Sequence, residues 1–219
     1  MKRTDIILIM TLLLAFSCKH KVTDSERYKT YVKATVKLLT KKVDSYTQNT
    51  GIRKTIFIID TTKIKFKNLI RVDKVTASRI RNGEMIMEDE FMSKIDTFKT
   101  ELYYFGNLTN IFKNTTYLII EKEHVILMNI RLYLVRIKKD KIQIKLLAAV
   151  ENQFCMSTMT TSALLGDSII FTQQTSDAIS DAVGKDRKTY FVKTARIKKY
   201  KLKDNSYTIL DHTRTTGYE

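Results

Sequence analysis

From residue 115 onward apolar residues recur at every second position, a period that side chains of an extended strand match and those of a helix do not. Ile130, Leu132 and Leu134 make one such face, and Ile142, Ile144, Leu146 and Ala148 another. The pattern predicts strands over Thr116–Glu121, His124–Ile137, Lys141–Val150, Ser168–Thr172, Lys188–Leu202 and Tyr207–Leu210. The links Lys138-Lys139-Asp140 and Lys203-Asp204-Asn205-Ser206 are short and polar, so the strands they join are expected to pair antiparallel. Alternation slips near Val135–Ile137 and near Lys198–Tyr200, as it does at β-bulges. Residues 154–166 carry no clear period, and Ser176–Val183 fits a single helical turn.

Upstream the period lengthens. Tyr28, Val32, Val36, Leu39, Val43 and Tyr46 recur at spacings of three and four, behind the capping pair Thr23 and Glu26. A helix is expected from about 24 to 47, ending near Gly51. Arg53–Asp60 and Lys63–Val72 read as strands, and Asn82-Gly83 between apolar flanks is a hairpin signal. Phe91, Ile95, Phe98, Leu102 and Phe105 predict a second helix from about Glu88 to Phe105, stopped by Gly106-Asn107. The expected fold class is α+β: a long N-terminal helix and a second helix packed on one face of a mainly antiparallel β-sheet.

The opening stretch has a different grammar. Lys2 and Arg3 precede the apolar run Ile6–Phe16, which Ser17-Cys18 closes, the layout of an export signal. As a helix that run reaches about 16 Å at roughly 1.5 Å per residue, half of the ~30 Å hydrocarbon layer. Leu14-Ala15-Phe16-Ser17-Cys18 resembles the lipobox of bacterial lipoproteins, in which a peptidase cuts before the cysteine and the new terminus is acylated. The motif departs from the family's pattern in having Ala15 where Leu is usual, and an ordinary secretory signal is the other reading. The resemblance covers residues 1–18 and implies a signal peptide over 1–17, lipidation of Cys18, a tether over 18–23 and a single domain over 24–219. Lys19 after the cysteine implies the outer membrane, and Lys19 and Lys21 would lie beside anionic headgroups.

Composition narrows the function. The 219 residues carry 39 Lys and Arg against 23 Asp and Glu, a formal charge of +16, with no proline. Polymer-like and Pro-rich recognition classes are thereby excluded, and two cysteines make no disulfide scaffold. Lysine dominates the cations, whereas readers of nucleic acid favour arginine's planar fork, so no nucleic-acid partner is expected. Local clusters stand at Arg136, Lys138, Lys139 and Lys141 and at Arg196, Lys198, Lys199, Lys201 and Lys203. Paired in a sheet they would form a cationic strip facing anionic lipid headgroups, polysaccharide or an acidic protein. The alternative is a solvated, Lys-rich surface.

Catalytic chemistry has weaker support. Gly166-Asp167-Ser168 resembles the nucleophile block of GDS-type lipases, but that family's acid-base pair is spaced Asp-x-x-His, whereas Asp211-His212 are adjacent here. A turn needs Gly and Asp for backbone reasons alone. Asp60, at the end of an apolar run, lacks the phosphate loop of a phosphoryl acceptor and suits a turn. Cys155 and His124 share no spacing that implies a thiolate pair or a metal site, so neither a metal nor a cofactor is expected. The sequence therefore suggests a lipid-anchored, non-enzymatic envelope module for an anionic component. An inhibitor or immunity-type lipoprotein holding a protein partner is the second reading, and a hydrolase using Ser168 or Cys155 the third.

Overall fold

A computed structural model of the chain describes residues 36–45, 54–61, 63–85, 100–112, 114–123, 129–138, 141–153, 156–181, 189–203 and 206–218. Residues Leu38–Glu219 form one unit, which holds every described strand. Among the described residues there are eleven strands: β1 (Lys54–Phe57), β2 (Ile70–Arg71), β3 (Glu84–Met85), β4 (Thr100–Asn107), β5 (Thr115–Glu123), β6 (Ile130–Lys138), β7 (Lys141–Gln153), β8 (Met156–Leu165), β9 (Ile169–Asp181), β10 (Thr189–Lys201) and β11 (Ser206–Tyr218). Two short helices accompany them, α1 over residues 36–45 and α2 over Lys74–Arg81. The expected α+β class is thus corrected to a mostly antiparallel β fold.

The sheet order is β11-β10-β9-β8-β7-β6-β5-β4-β2, so every strand from β4 onward pairs with its neighbour in sequence. Short polar links dictate this meander, because a tight turn can join only antiparallel strands. β7 and β8 are paired only over Ala149–Gln153 and Met156–Thr160. Beyond that the pair forks. β3 lies parallel against Gln143 and Ile144 of β7, and β1 lies antiparallel against Ser162–Leu165 of β8. The fork also lets β7 meet β10: Lys145 Nζ lies 3.4 Å from the centre of the Tyr200 ring, although two strands separate theirs in the sheet order.

Register defines two faces. On the front face, Ala77 and Ile80 of α2 pack on Leu102, Ile119, Tyr133, Val135, Ile142, Ile144, Leu146 and Ala149. Each large aliphatic side chain so buried contributes roughly 1.5–3 kcal/mol. On the back face, Leu39 and Val43 of α1 pack on Ala163, Leu165 and Phe171. Ala149 stands opposite Thr160, so its face is the one opposite to Ala163 and Leu165. Helices α1 and α2 therefore lie on opposite faces of the sheet.

Four local expectations are corrected. Residues 100–105, expected to end a helix, form most of β4; Leu102 and Tyr104 share the front face, and a bulge between Tyr104 and Gly106 breaks the alternation that would have marked a strand. Asn82-Gly83 ends α2 and is no hairpin: Asp73 caps the helix by accepting from Thr76 N–H at 2.9 Å, and Asn82 closes it. Gly83 is required for space, since a Cβ there would stand 2.8 Å from Ile144 Cδ1 and 2.9 Å from the Ile80 carbonyl oxygen. The helical turn expected from Ser176 is strand as far as Asp181. Strand Lys63–Val72 shrinks to β2, behind a turn of 3-10 helix at Phe66–Asn68. Residues 24–35, 46–47 and 88–99 of the two expected helices lie outside the described residues.

Bulges fall at Leu132/Tyr133 in the β6–β7 pair and at Ile197/Lys198 in the β10–β11 pair. The second lies beside the slip in alternation near Lys198. The slip near Val135–Ile137 is ordinary register, and the extra residue of the β6–β7 pair is Leu147 on β7, opposite the Leu132/Tyr133 step of β6.

Candidate anion-binding surface

The two basic clusters expected to form a strip are not paired with each other in the sheet. One ends β6 and the other ends β10, with β7, β8 and β9 between them in the sheet. Arg136 is half-buried on the back face, with its guanidinium 5.2 Å from the centre of the Phe112 ring. Lys141 is exposed at the start of β7; the Lys138 side chain, Lys139, Lys19, Lys21 and Cys18 lie outside what is described. The second cluster is itself divided by strand alternation. Arg196 and Lys198 share the front face, whereas Lys199 and Lys201 point to the back, and Lys203 is exposed in the turn. Lys198 is buried, its Nζ 5.1 Å from the centre of the Tyr207 ring, and burial lowers its pKa.

Alternation also sorts the acids. On the back face Lys193 stands opposite Asp177, whose carboxyl burial pushes up while Lys193 draws it down. Asp211 on the same face lies 3.7 Å from Lys42 Nζ of α1. The front face of β8–β11 bears Arg196, Lys198 and Arg214 and, by register, no Asp or Glu. Arg196 stands directly opposite His212, and Thr194 opposite Arg214. Arg196 and Arg214 are thus diagonal neighbours, about 7–8 Å apart at the backbone and able to converge on one anion. His212, Arg214 and Thr216 are exposed, with Gln174, Ser176 and Thr194 half-buried beside them. Ser176 Oγ and Thr194 Oγ1 are 2.5 Å apart. The surface is a cationic strip bordered by hydroxyls and an amide, and it needs no cofactor to attract a negative ligand.

His212 and Arg214 fall beyond the predicted strand, which stops at Leu210. Asp-His-Thr-Arg-Thr-Thr is polar on both faces, as an exposed edge strand is, so no apolar alternation signals it. The β-branched threonines at 213, 215 and 216 are the available signal.

A second charged cluster has the opposite character. Arg131 Nε donates to Glu151 Oε1 at 2.5 Å, and its Nη1 lies 3.3 Å from Glu121 Oε2 and 3.6 Å from Glu123 Oε2. The Tyr133 hydroxyl donates to Glu121 Oε2 at 2.7 Å, and Asn129 Nδ2 to Glu123 Oε2 at 2.9 Å. Burial, reinforced by Glu121, raises the Tyr133 pKa well above its ordinary value, so the phenol stays a donor. Burial works against the Arg131 charge, but Tyr133, Glu151 and Glu121 outweigh it and hold its pKa above the usual value. Glu121 is fully buried and its Oε1 has no hydrogen-bond partner. Here a cation is enclosed by carboxylates, an arrangement that locks β5, β6 and β7 together. Among the described residues no group of three or more His, Cys, Asp or Glu is placed to hold a metal ion.

Ser168 and His212 stay apart. Ser168 closes the β8–β9 turn, in which Gly166 adopts φ 57°, and its carbonyl accepts from Leu202 N–H at 2.8 Å. His212 stands level with Gln174 through Arg196, six residues along β9, or about 20 Å at roughly 3.3 Å per residue. Cys155 and His124 lie outside the described residues. Asp60 forms a turn, its carbonyl accepting from Lys63 N–H at 3.0 Å and its carboxylate 3.2 Å from Lys63 Nζ. Comparison with protein-family models, with curated proteins and with solved structures finds no match in any of the three.

Proposed function

We propose that the chain is a lipid-anchored, non-enzymatic binding module of the cell envelope, holding an anionic envelope component on the front face of β10 and β11. The observation that carries the binding half is the imbalance of charge between the faces. Arg196 and Arg214 share a face of β8–β11 that bears no carboxylate, whereas on the reverse face Lys193 stands opposite Asp177 and Asp211 lies beside Lys42 of α1. Surplus charge gathered on one surface attracts anions in a way that the same charge dispersed does not. The anchoring half rests on the basic start, short apolar run and lipobox-like Leu14–Cys18. Two or more acyl chains, at about 0.8 kcal/mol per buried methylene, give stable membrane attachment. Anionic lipid headgroups, acidic polysaccharide and acidic protein all supply the required negative groups.

The test uses the full-length protein recovered from its native membranes. Cys18→Ser is expected to move it to the soluble fraction and to abolish acylation seen in its mass; retention with unchanged mass would remove the anchor. Binding to vesicles of anionic lipid and to an anionic polysaccharide is measured from low to high salt on the Cys18→Ser protein. Steep loss with salt, absent from zwitterionic vesicles, is the expected result, since exposed charges are screened over about 10 Å at 0.1 M. Equal binding to zwitterionic and anionic surfaces would overturn the assignment.

A further inference from the structure

Among the described residues β11 is paired on one side only: β10 occupies one edge, and no described strand lies on the other. At the far end of the sheet the terminal strand, β2, has two residues, whereas β11 has thirteen. From Ser206 to Thr216 every residue of β11 is exposed apart from half-buried Asp211. Edge strands are normally protected by lysine, proline, a bulge or a covering segment. β11 contains neither lysine nor proline, in a chain that elsewhere is rich in lysine. Its one bulge, at Leu210, interrupts the near end and leaves Asp211–Tyr218 in unbroken register with β10. Tyr207, Ile209 and Leu210 are exposed beside that interruption.

We infer that the open edge of β11 over Asp211–Tyr218 receives an extended acidic segment of a partner protein as an added strand. This deepens the proposed function and rests on its cationic face. Main-chain hydrogen bonds to the edge would supply affinity that does not depend on sequence, and alternate side chains would supply specificity. The alternation is set by β11. On the front face the guest lies beside His212, Arg214 and Thr216, with Arg196 in the next strand, and that environment selects carboxylates. On the back face it lies beside Asp211, Thr213 and Thr215, which select small hydroxyl or β-branched residues and reject a second acid. The matching guest therefore alternates acid and hydroxyl residues. A second copy of the chain fits poorly, because antiparallel β11 strands would bring Arg196 and Arg214 of both copies onto one surface. A lipid surface would press on the face and leave the edge amides unused.

The test titrates the full chain in detergent with a fluorescent (Glu-Thr)4 peptide, its block isomer Glu4Thr4, and two N-methylated forms of the alternating peptide carrying methyls on one or the other set of alternate amides. Only one set can face β11. The alternating peptide is expected to bind at least ten-fold tighter than the block isomer, one methylated form is expected to lose binding while the other keeps it, and R214E should weaken binding about ten-fold. Equal affinity of the alternating and block peptides, or equal behaviour of the two methylated forms, overturns the added strand. If these peptides bind alike and with steep salt dependence, the cationic surface stands without the edge. If neither peptide nor anionic vesicles bind, both readings fall.

Discussion

Arg131 on β6 and Arg214 on β11 rise from the same face of one sheet and live in opposite electrostatic settings. Arg131 is nearly buried among Glu121, Glu123 and Glu151, whereas Arg214 is exposed on a stretch of face without a carboxylate. A buried charge persists only where it is neutralised and hydrogen-bonded. An exposed one needs no neutralisation, and its field is left for whatever approaches. In a chain with surplus positive charge, a cation enclosed by carboxylates spends its field inside the fold, and an exposed one projects it into solvent.

Removing the enclosed cation should have the largest effect. Arg131→Met leaves buried Glu121 and half-buried Glu123 and Glu151 without their counter-charge, which costs about 3–5 kcal/mol. Urea unfolding should show the loss as a lower midpoint with an unchanged slope; a change below about 1 kcal/mol would show that the network contributes no more than a surface pair.

Lys145 extends the contrast, being a buried cation with a ring in place of a carboxylate. Burial lowers its pKa from 10.5 to about 7, and contact with the Tyr200 ring offsets part of the cost of its charge. Between about 7 and 10.5 the unfolded chain binds a proton that the folded chain does not, so stability rises with pH across that window and is flat in this respect below it. At full slope the gain is about 1.4 kcal/mol per pH unit. Lys145→Met should remove this rise and be more stable than the parent at neutral pH and just below. Parallel stability profiles of the two proteins across the window would contradict it.

Half-buried Arg196 and exposed Arg214 should behave in reverse. Arg196→Glu with Arg214→Glu is expected to lower affinity for anionic vesicles at least ten-fold while stability changes by about 0.5 kcal/mol or less. The smallest effect belongs to the control. Lys199→Glu with Lys201→Glu makes the same change in net charge on the back face and should alter vesicle binding by less than about three-fold. Equal losses from the two double variants would mean that total charge, not its placement, attracts the anion.

Sequence periodicity carries the middle of the sheet because β6 and β7 bury one face under α2 and keep strict alternation there, as Ile142, Ile144 and Leu146 do. It fails where alternation has no apolar contrast. In β8, Thr160, Thr161 and Ser162 are all buried although they point to both faces, so no period survives. β11 fails for the opposite reason, being exposed on both. Leu102 and Phe105 fit helical spacing only because a bulge resets the phase between Tyr104 and Gly106. The site is half legible: Arg196 stands in a basic cluster that the sequence displays, but its partner Arg214 emerges only from knowing how far β11 runs. Which basic residues share a face depends on strand register, and register is tertiary information.

The fork between β7 and β8 dictates an order of assembly. β1 has its hydrogen-bonding partner only in the second half of β8, with Lys54 against Leu165 and Phe57 against Ser162. A chain emerging from its N-terminus must carry Ile56-Phe57-Ile58-Ile59 unpaired until most of the meander has been made. Closing so long a loop is entropically slow. Until then that short apolar segment is a sticky end, and a holdase bound there during synthesis would protect the nascent chain at its most vulnerable stage.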